Sequence, residues 1–202
     1  MNYSSLVSHV HLSPNCVKRT HAVEGITPHH AAGCGTLEAL GEIFATGGAS
    51  ANYGISQDGR IACFVPEDYR AYTSSNREND DRCITIEVLN SAGAPDWPIS
   101  DAAYQSLVAL CADICKRHGF KLHFTGDKTG NLTMHRYFVS TNCPGPYLEA
   151  LFPKLAEDVN ERLGVFYRVQ VGAFNDKNNA LALRDRLVQA GYTDAFLVEV
   201  EK

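Results

Sequence analysis

The chain has 202 residues, a formal net charge of −5 at pH 7, 45% hydrophobic residues and 20% charged residues. This composition is typical of a folded protein and excludes an intrinsically disordered chain. No run of about 18 apolar residues occurs, which excludes a membrane-spanning helix. The acidic balance argues against a nucleic-acid-binding protein, because such proteins normally carry a basic surface.

The cysteine content and the N-terminus indicate a reducing compartment. Seven cysteines are present, and the first 16 residues lack the apolar core of a signal peptide. A disulfide framework is therefore not expected, and most of the cysteines should be free thiols. We expect synthesis in the cytoplasm without a signal peptide.

The N-terminal half alternates irregular and extended segments. The first 25 residues show little periodicity and predict an irregular arm, and residues 26–33 predict a strand end that enters a Gly-rich loop. Thr36 can then cap a helix, because the apolar residues that follow it recur at helical spacing. Residues 51–56 and 60–65 are predicted to form a hairpin around an Asp-Gly turn.

Residues 83–89 form the clearest strand pattern in the chain. Ile84, Ile86 and Val88 alternate along one face, which predicts that this face is buried. Glu87 lies on the opposite face together with Thr85.

The C-terminal half contains two amphipathic helices and a separate tail. Ser100 caps the first helix and Gly119 ends it, residues 122–124 are read as a short strand, and residues 147–163 form the second helix. Residues 166–202 are predicted to form a βαβ unit, so the chain divides into domains at 1–164 and 166–202. The expected elements of that unit are a strand at 166–173, a helix at 178–190 and a strand at 195–200.

His135 and Cys143 suggest a metal site. They are eight residues apart, which is too far for one helical turn, but a loop that folds back can bring both to one ion. Imidazole and thiolate are ligands that zinc prefers. His29, at a predicted strand end, could supply a third ligand and leave the fourth tetrahedral position for water, which is typical of a catalytic zinc site. By spacing alone, a buried Cys143 and a hydrogen-bonded His135 remain an alternative.

Four motifs, which follow one another along the chain, together resemble those of a known protein family. They are His29-His30-Ala31-Ala32-Gly33, the segment 50–59, the segment 84–88, and the segment from His135 to Cys143-Pro144-Gly145. With these motifs, residues 5–163 resemble a type-2 N-acetylmuramoyl-L-alanine amidase, and the nearest branch is that of clostridial and phage endolysins and autolysins. The resemblance implies an α/β fold in which helices flank a mixed central sheet and a zinc ion lies in a groove at the edge of the sheet.

The resemblance also implies a set of site residues. The zinc ligands would be His29, His135 and Cys143. His30 is a rival for His29, but neighbouring side chains of an extended segment point to opposite sides, so only one of them can bind the ion. His123 is a lesser rival.

Three further residues are candidates for the chemistry. The family pattern places a catalytic glutamate at Glu87, although a salt-bridged carboxylate at a strand edge would look the same. Tyr53 corresponds to a tyrosine near the zinc and could orient water or bind the oxyanion, or it could be a half-buried strand aromatic. Thr141 stands where other members carry Lys or Thr, and its hydroxyl could bind the oxyanion.

The tail resembles the start of a SPOR (sporulation-related repeat) module. Residues 166–174, 178–180 and 190–192 carry this resemblance, which implies binding to peptidoglycan glycan strands. The module normally has two βαβ halves and this tail has one. We therefore predict that two chains pair through residues 166–202 as a homodimer, with docking onto the first domain as the alternative.

The sequence thus predicts zinc-dependent hydrolysis of the amide between N-acetylmuramic acid and L-alanine in peptidoglycan. The enzyme would reach the cell wall after release or lysis, without inserting into a membrane. The alternatives are a non-catalytic peptidoglycan-binding protein of the same fold and a zinc peptidase that acts on stem peptides.

Overall fold

A computed structural model of the chain describes residues 2–164 and 169–199. The chain forms two compact units, Met1–Val165 and Phe166–Lys202. The strands of the first unit are β1 (His9–Val10), β2 (Cys16–Lys18), β3 (Gly25–His30), β4 (Tyr53–Ile55), β5 (Ile61–Cys63), β6 (Tyr69–Ala71) and β7 (Cys83–Val88). Its α-helices are α1 (Leu37–Thr46), α2 (Arg77–Arg82), α3 (Asp101–His118) and α4 (Pro146–Leu163), and a 3₁₀ turn spans His135–Tyr137.

A mixed five-stranded sheet with the order β1-β5-β4-β7-β3 forms the centre of the first unit. β4 and β5 pair antiparallel, whereas β1 with β5, β4 with β7, and β7 with β3 pair in parallel. β2 and β6 form a small separate antiparallel pair. The predicted fold class, a mixed sheet flanked by helices, is confirmed.

The two faces of the sheet are covered by different helices. The face that carries Ile84, Ile86 and Val88 packs with the apolar residues of α3 and α4 in the main core. A second, smaller cluster packs α1 against the other face and includes Leu37 and Phe64. Glu87 therefore points away from the main core, as the alternation predicts.

Local sequence signals account for the ends of the principal helices. The Thr36 side chain accepts a hydrogen bond from the Ala39 amide at the start of α1. Ser100 does the same for Ala103 at the start of α3. Gly119 ends α3 in the left-handed conformation that glycine adopts without a Cβ penalty.

Some elements differ from the expectation. Residues 122–124 do not form a strand, because the Leu122 amide and carbonyl are paired with the Asn160 side chain (3.0 and 2.8 Å) instead of with a neighbouring strand. The polar run Arg77–Arg82 forms α2 because Asn76 caps it. The arm is also not wholly irregular, since it supplies β1 and β2.

Within the described residues of the second unit, helix α5 (Lys177–Gln189) matches the helix predicted there. No strand is assigned between residues 169 and 199. The expected strand 166–173 begins outside the described residues, and the expected strand 195–200 ends outside them. None of the helices in the described ranges is long and apolar enough to cross a membrane.

Candidate metal centre and active site

Three side chains from three separate segments meet at one point. His29, His135 and Cys143 each offer a ligand atom, and these atoms lie within 4.8 Å of one another. The His29 Nδ1 atom is 3.3 Å from the Cys143 Sγ atom, and the rings of His29 and His135 are 4.9 Å apart. The structure thus brings together the three predicted ligands.

The fold holds each of these residues in a different way. His29 lies near the C-terminal end of β3, where parallel pairing sets it beside Glu87 of β7. His135 begins the 3₁₀ turn that follows a short parallel bridge between Leu132 and Ile26. Cys143 lies shortly before Gly145, the residue that precedes α4.

Burial controls the protonation of the ligands. Together with the neighbouring charges of His135 and His30, it lowers the pKa of His29 to about 3. Burial also lowers the pKa of His135, while Asp80 opposes that shift. Both imidazoles are therefore neutral near pH 7, which is the form that binds a metal ion.

Two buried imidazole nitrogens support a metal site in this cluster. The Nε2 atoms of His29 and His135 have no hydrogen-bond partner among the described residues. Unpaired buried polar atoms are costly, and a cation in the cluster would bind one nitrogen of each ring. Burial raises the pKa of Cys143 to about 12, with the Glu87 charge adding to the rise, and a cation would counter both effects. Two histidines and one cysteine fit zinc.

Glu87 is beside this cluster. One of its carboxylate oxygens, Oε1, lies 4.0 Å from His29 Nδ1, and the buried Oε2 has no hydrogen-bond partner in the described part of the chain. Burial raises the pKa of Glu87 to about 8. A carboxyl group with a raised pKa and a free oxygen is suited to exchange protons near neutral pH.

Tyr53 is not brought to the cluster. Its register partner on β7 is Ile86, whereas Gly54 is the partner of Glu87, so Tyr53 points to the opposite face of the sheet. There its hydroxyl donates to Glu67 and accepts from the Ser4 amide at 2.9 Å. The structure gives Tyr53 a place in a buried polar network.

Thr141 and His30 lie beside the cluster but are not among its three potential ligands. Thr141 Oγ1 accepts a hydrogen bond from the Cys143 amide at 3.2 Å, so it supports the backbone of a ligand and keeps its own proton for donation. The His30 ring packs edge-on against Trp97, with 5.5 Å between the ring centroids. His123, the lesser rival, is an exposed residue.

Sequence reasoning did not single out the polar residues beneath this site. Thr27, Thr133 and Asn79 are buried and hydrogen-bonded to one another. A signal was present, since Thr27 and Thr133 each lie two residues before a predicted histidine ligand.

Comparisons with known proteins bear on this arrangement. The sequence model of the N-acetylmuramoyl-L-alanine amidase family matches residues 19–146. The chain belongs to this family. It is therefore an enzyme of the amidase class, and the resemblance predicted from the motifs is confirmed. A model of the SPOR domain matches residues 163–202 of the amidase. Among curated proteins, none matches this chain.

Solved structures share the fold of the amidase at low sequence identity. A selenomethionine derivative of AmpD is 21% identical with a TM-score of 0.58, over 76% of this chain and 96% of that one. The endolysin LysCS from Clostridium intestinale is 18% identical with a TM-score of 0.55, over 78% and 99%. The hydrolase AmiA from Staphylococcus aureus, solved in complex with its ligand, is 18% identical with a TM-score of 0.59, over 77% and 82%.

Proposed function

We propose that this amidase hydrolyses, with zinc as cofactor, the amide between N-acetylmuramic acid and L-alanine in peptidoglycan, as a lytic enzyme. The observation that carries the proposal is the cluster of His29, His135 and Cys143 with Glu87 directly beside it. Three protein ligands leave a fourth tetrahedral position for water or substrate, as in catalytic zinc sites.

Glu87 is the proton carrier in this proposal. When bound, zinc would polarise the scissile carbonyl and make water acidic enough to attack it near neutral pH. The Glu87 carboxylate takes a proton from the attacking water and returns it to the departing nitrogen, so the amide bond breaks without a charged amide leaving group. The neighbouring cation favours the carboxylate form, which offsets the effect of burial on the pKa of Glu87.

The other residues near the site hold or supplement this arrangement. Thr141 fixes the Cys143 amide and presents its O–H for donation to the oxygen that gains negative charge. Tyr53 is assigned no chemical step, because its hydroxyl is committed to Glu67 and Ser4 on the opposite face of the sheet.

Peptidoglycan is also the proposed partner of the second unit. The SPOR match over residues 163–202 supports binding to the same polymer that the first unit would cleave. Two contacts with one polymer would raise the effective concentration of the catalytic site on the wall.

Mass spectrometry of purified cell walls digested by the zinc-loaded protein tests the proposed bond. We expect glycan strands free of peptide together with intact stem peptides that begin with L-alanine. Fragments cut within the stem peptide would support the peptidase alternative. Undigested walls with the protein still bound would support the non-catalytic alternative. A parallel digestion with Glu87→Gln controls for contaminating wall hydrolases.

A further inference from the structure

Three buried threonines form a layer next to the candidate metal centre, each two residues before a residue of the site. Side chains two apart on an extended segment share a face. The pairs are Thr27 with His29, Thr85 with Glu87, and Thr133 with His135.

Thr27 and Thr133 form a closed ring of hydrogen bonds with Asn79. Asn79 Nδ2 donates to Thr27 Oγ1 at 3.0 Å, and Thr133 Oγ1 donates to Asn79 Oδ1 at 3.0 Å. The two threonine oxygens are 2.8 Å apart. Because the Thr133 proton is already committed to Asn79, Thr27 must be the donor in that third bond. The hydrogen bonds therefore run in one direction around the ring, from Asn79 to Thr27, from Thr27 to Thr133 and from Thr133 back to Asn79.

The amide of Asn79 uses its full hydrogen-bonding capacity. Its second Nδ2 proton goes to Ser74 Oγ at 3.2 Å, and its Oδ1 atom also accepts from Cys83 Sγ at 3.4 Å. Asn79 is only 7% exposed. A buried amide with all its positions satisfied has one favourable orientation, so it is a rigid link between the segments that it joins.

The segment that leads to His135 is held in part by Leu132 and Met134, which lie on either side of Thr133 and are buried in the main core. Its backbone meets β3 through one isolated bridge, in which the Ile26 amide donates to the Asn131 carbonyl (2.8 Å) and the Thr133 amide donates to the Ile26 carbonyl (3.1 Å). The next element is the 3₁₀ turn that starts at His135 itself. The ring therefore adds side-chain hydrogen bonds between this segment and β3, two residues from each histidine ligand.

We propose that the ring of Thr27, Thr133 and Asn79 is the positioning device that sets the separation of His29 from His135 in the metal centre. This inference rests on the proposed zinc site, and none of the three residues contacts the reacting atoms. Residues that orient metal ligands from outside the coordination sphere commonly change metal affinity by about 10–100-fold.

The test compares substitutions that differ by a single hydroxyl in the full-length chain. Thr133→Val and Thr27→Val keep the shape of the side chain and remove the bond, whereas Thr133→Ser keeps the bond. Thr85→Val is the matched control, because Thr85 lies in the same buried layer but bonds to Thr73 (2.8 Å) and Asn52 instead of to the ring. Zinc affinity is measured by chelator competition well below the unfolding temperature of each metal-free variant. Co²⁺ absorption then reports ligand geometry and thiolate binding.

We expect both valine variants of the ring to bind zinc about tenfold more weakly or worse and to show an altered Co²⁺ spectrum. Thr133→Ser and Thr85→Val should stay within about threefold of the wild type, although Thr85→Val should be less stable. Wild-type zinc affinity in a folded Thr133→Val or Thr27→Val variant would overturn the positioning role alone. A wild-type protein that binds no zinc would overturn both proposals, and one that binds zinc without cleaving the wall would overturn the proposed function alone.

Discussion

Two glutamates on opposite faces of the sheet show how environment sets the pKa of a carboxyl group. The Glu67 side chain is fully buried, whereas that of Glu87 is 15% exposed. Burial raises the pKa of Glu67, but hydrogen bonds from Arg117, His118 and Tyr53 outweigh it and hold the value at about 2. Glu87 has an unpartnered oxygen, and burial raises its pKa to about 8. Glu67 is therefore held in its charged form, whereas Glu87 can change its protonation state near neutral pH.

Replacing the thiolate ligand tests the metal centre directly. Cys143→Ser puts a neutral hydroxyl in place of a thiolate in a three-ligand site, so the purified variant should fall from about one zinc per chain to a small fraction of that. Metal analysis after gel filtration measures it, with Cys34→Ser as control, because Cys34 is an exposed free cysteine outside the cluster. Full zinc retention in Cys143→Ser would contradict the ligand assignment.

Removing the proposed proton carrier should separate metal binding from catalysis. Glu87→Gln keeps the shape of the side chain and cannot accept the proton, so we expect wall hydrolysis to fall by about a hundredfold or more. Zinc content should persist, because Glu87 is not one of the three ligands. Turbidity loss of a wall suspension measures the rate, and nearly intact activity would make Glu87 a structural carboxylate.

The contribution of Glu67 to the free energy of unfolding should depend on pH. The Glu67 side chain is fully buried and accepts two bonds from Arg117 at 2.5 and 2.7 Å, so Glu67→Gln should cost about 3 kcal/mol near pH 7. Its folded pKa of about 2 lies below the ordinary 4.5. The stabilisation is therefore complete above about pH 4.5 and is lost as the pH falls towards about 2. Thermal unfolding between pH 7 and pH 3 should show the difference between wild type and variant shrinking, and parallel curves would refute this account.

At the scale of elements, the absence of a side chain at Gly54 lets α1 pack against the sheet. A Cβ atom there would lie 2.6 Å from Phe64 Cε2 and 3.1 Å from Leu37 Cδ2. Both residues belong to the smaller core cluster, on the same face as Glu87. β4 thus leaves space for α1 on the face of the sheet that carries Glu87.

Adding a methyl group at Gly54 should test that packing. Gly54→Ala should destabilise the protein by about 1–3 kcal/mol, since Phe64 and Leu37 must both shift. Gly48→Ala is the control, because a Cβ atom at Gly48 meets nothing within 4 Å and should leave stability almost unchanged. Urea unfolding gives both values, and equal midpoints for the two variants would show that α1 tolerates the overlap.

At the scale of the whole molecule, the described residues of the second unit leave many of their apolar side chains exposed. Helix α5 has no buried residue, and Val169, Val171 and Tyr192 are 87%, 59% and 63% exposed. A unit of fewer than about 40 residues seldom buries enough surface to be stable alone. It therefore needs a partner surface, and a second copy of the same segment can supply one with twofold symmetry.

A homodimer through residues 166–202 would cover the exposed apolar side chains of the second unit. We expect light scattering at micromolar concentration to give a dimer for the full chain and a monomer for a chain truncated after Gly164. Wall binding of the dimer should also be tighter, because two catalytic units would share one polymer. A monomeric full-length protein would exclude the dimer and leave docking onto the first unit.

Several features could be predicted from sequence because they depend on near neighbours. Thr36, Ser100 and Gly119 mark helix ends through local hydrogen bonds and backbone conformation, and the alternation at 84–88 assigned Glu87 to its face. The strand predicted at 122–124 was wrong because its pairing partner is a side chain of α4, 38 residues away.

The amino-acid sequence by itself determined the family, the mixed sheet and the three residues that meet as candidate ligands. Motif order and periodicity are properties of the linear sequence, so they could be identified without the structure. Only the tertiary structure decided that Tyr53 faces Glu67 and that Asn79 ties Thr27 to Thr133. The first fact depends on strand register, because a shift of one residue moves every side chain of a strand to the other face. The second depends on contacts between residues more than fifty positions apart.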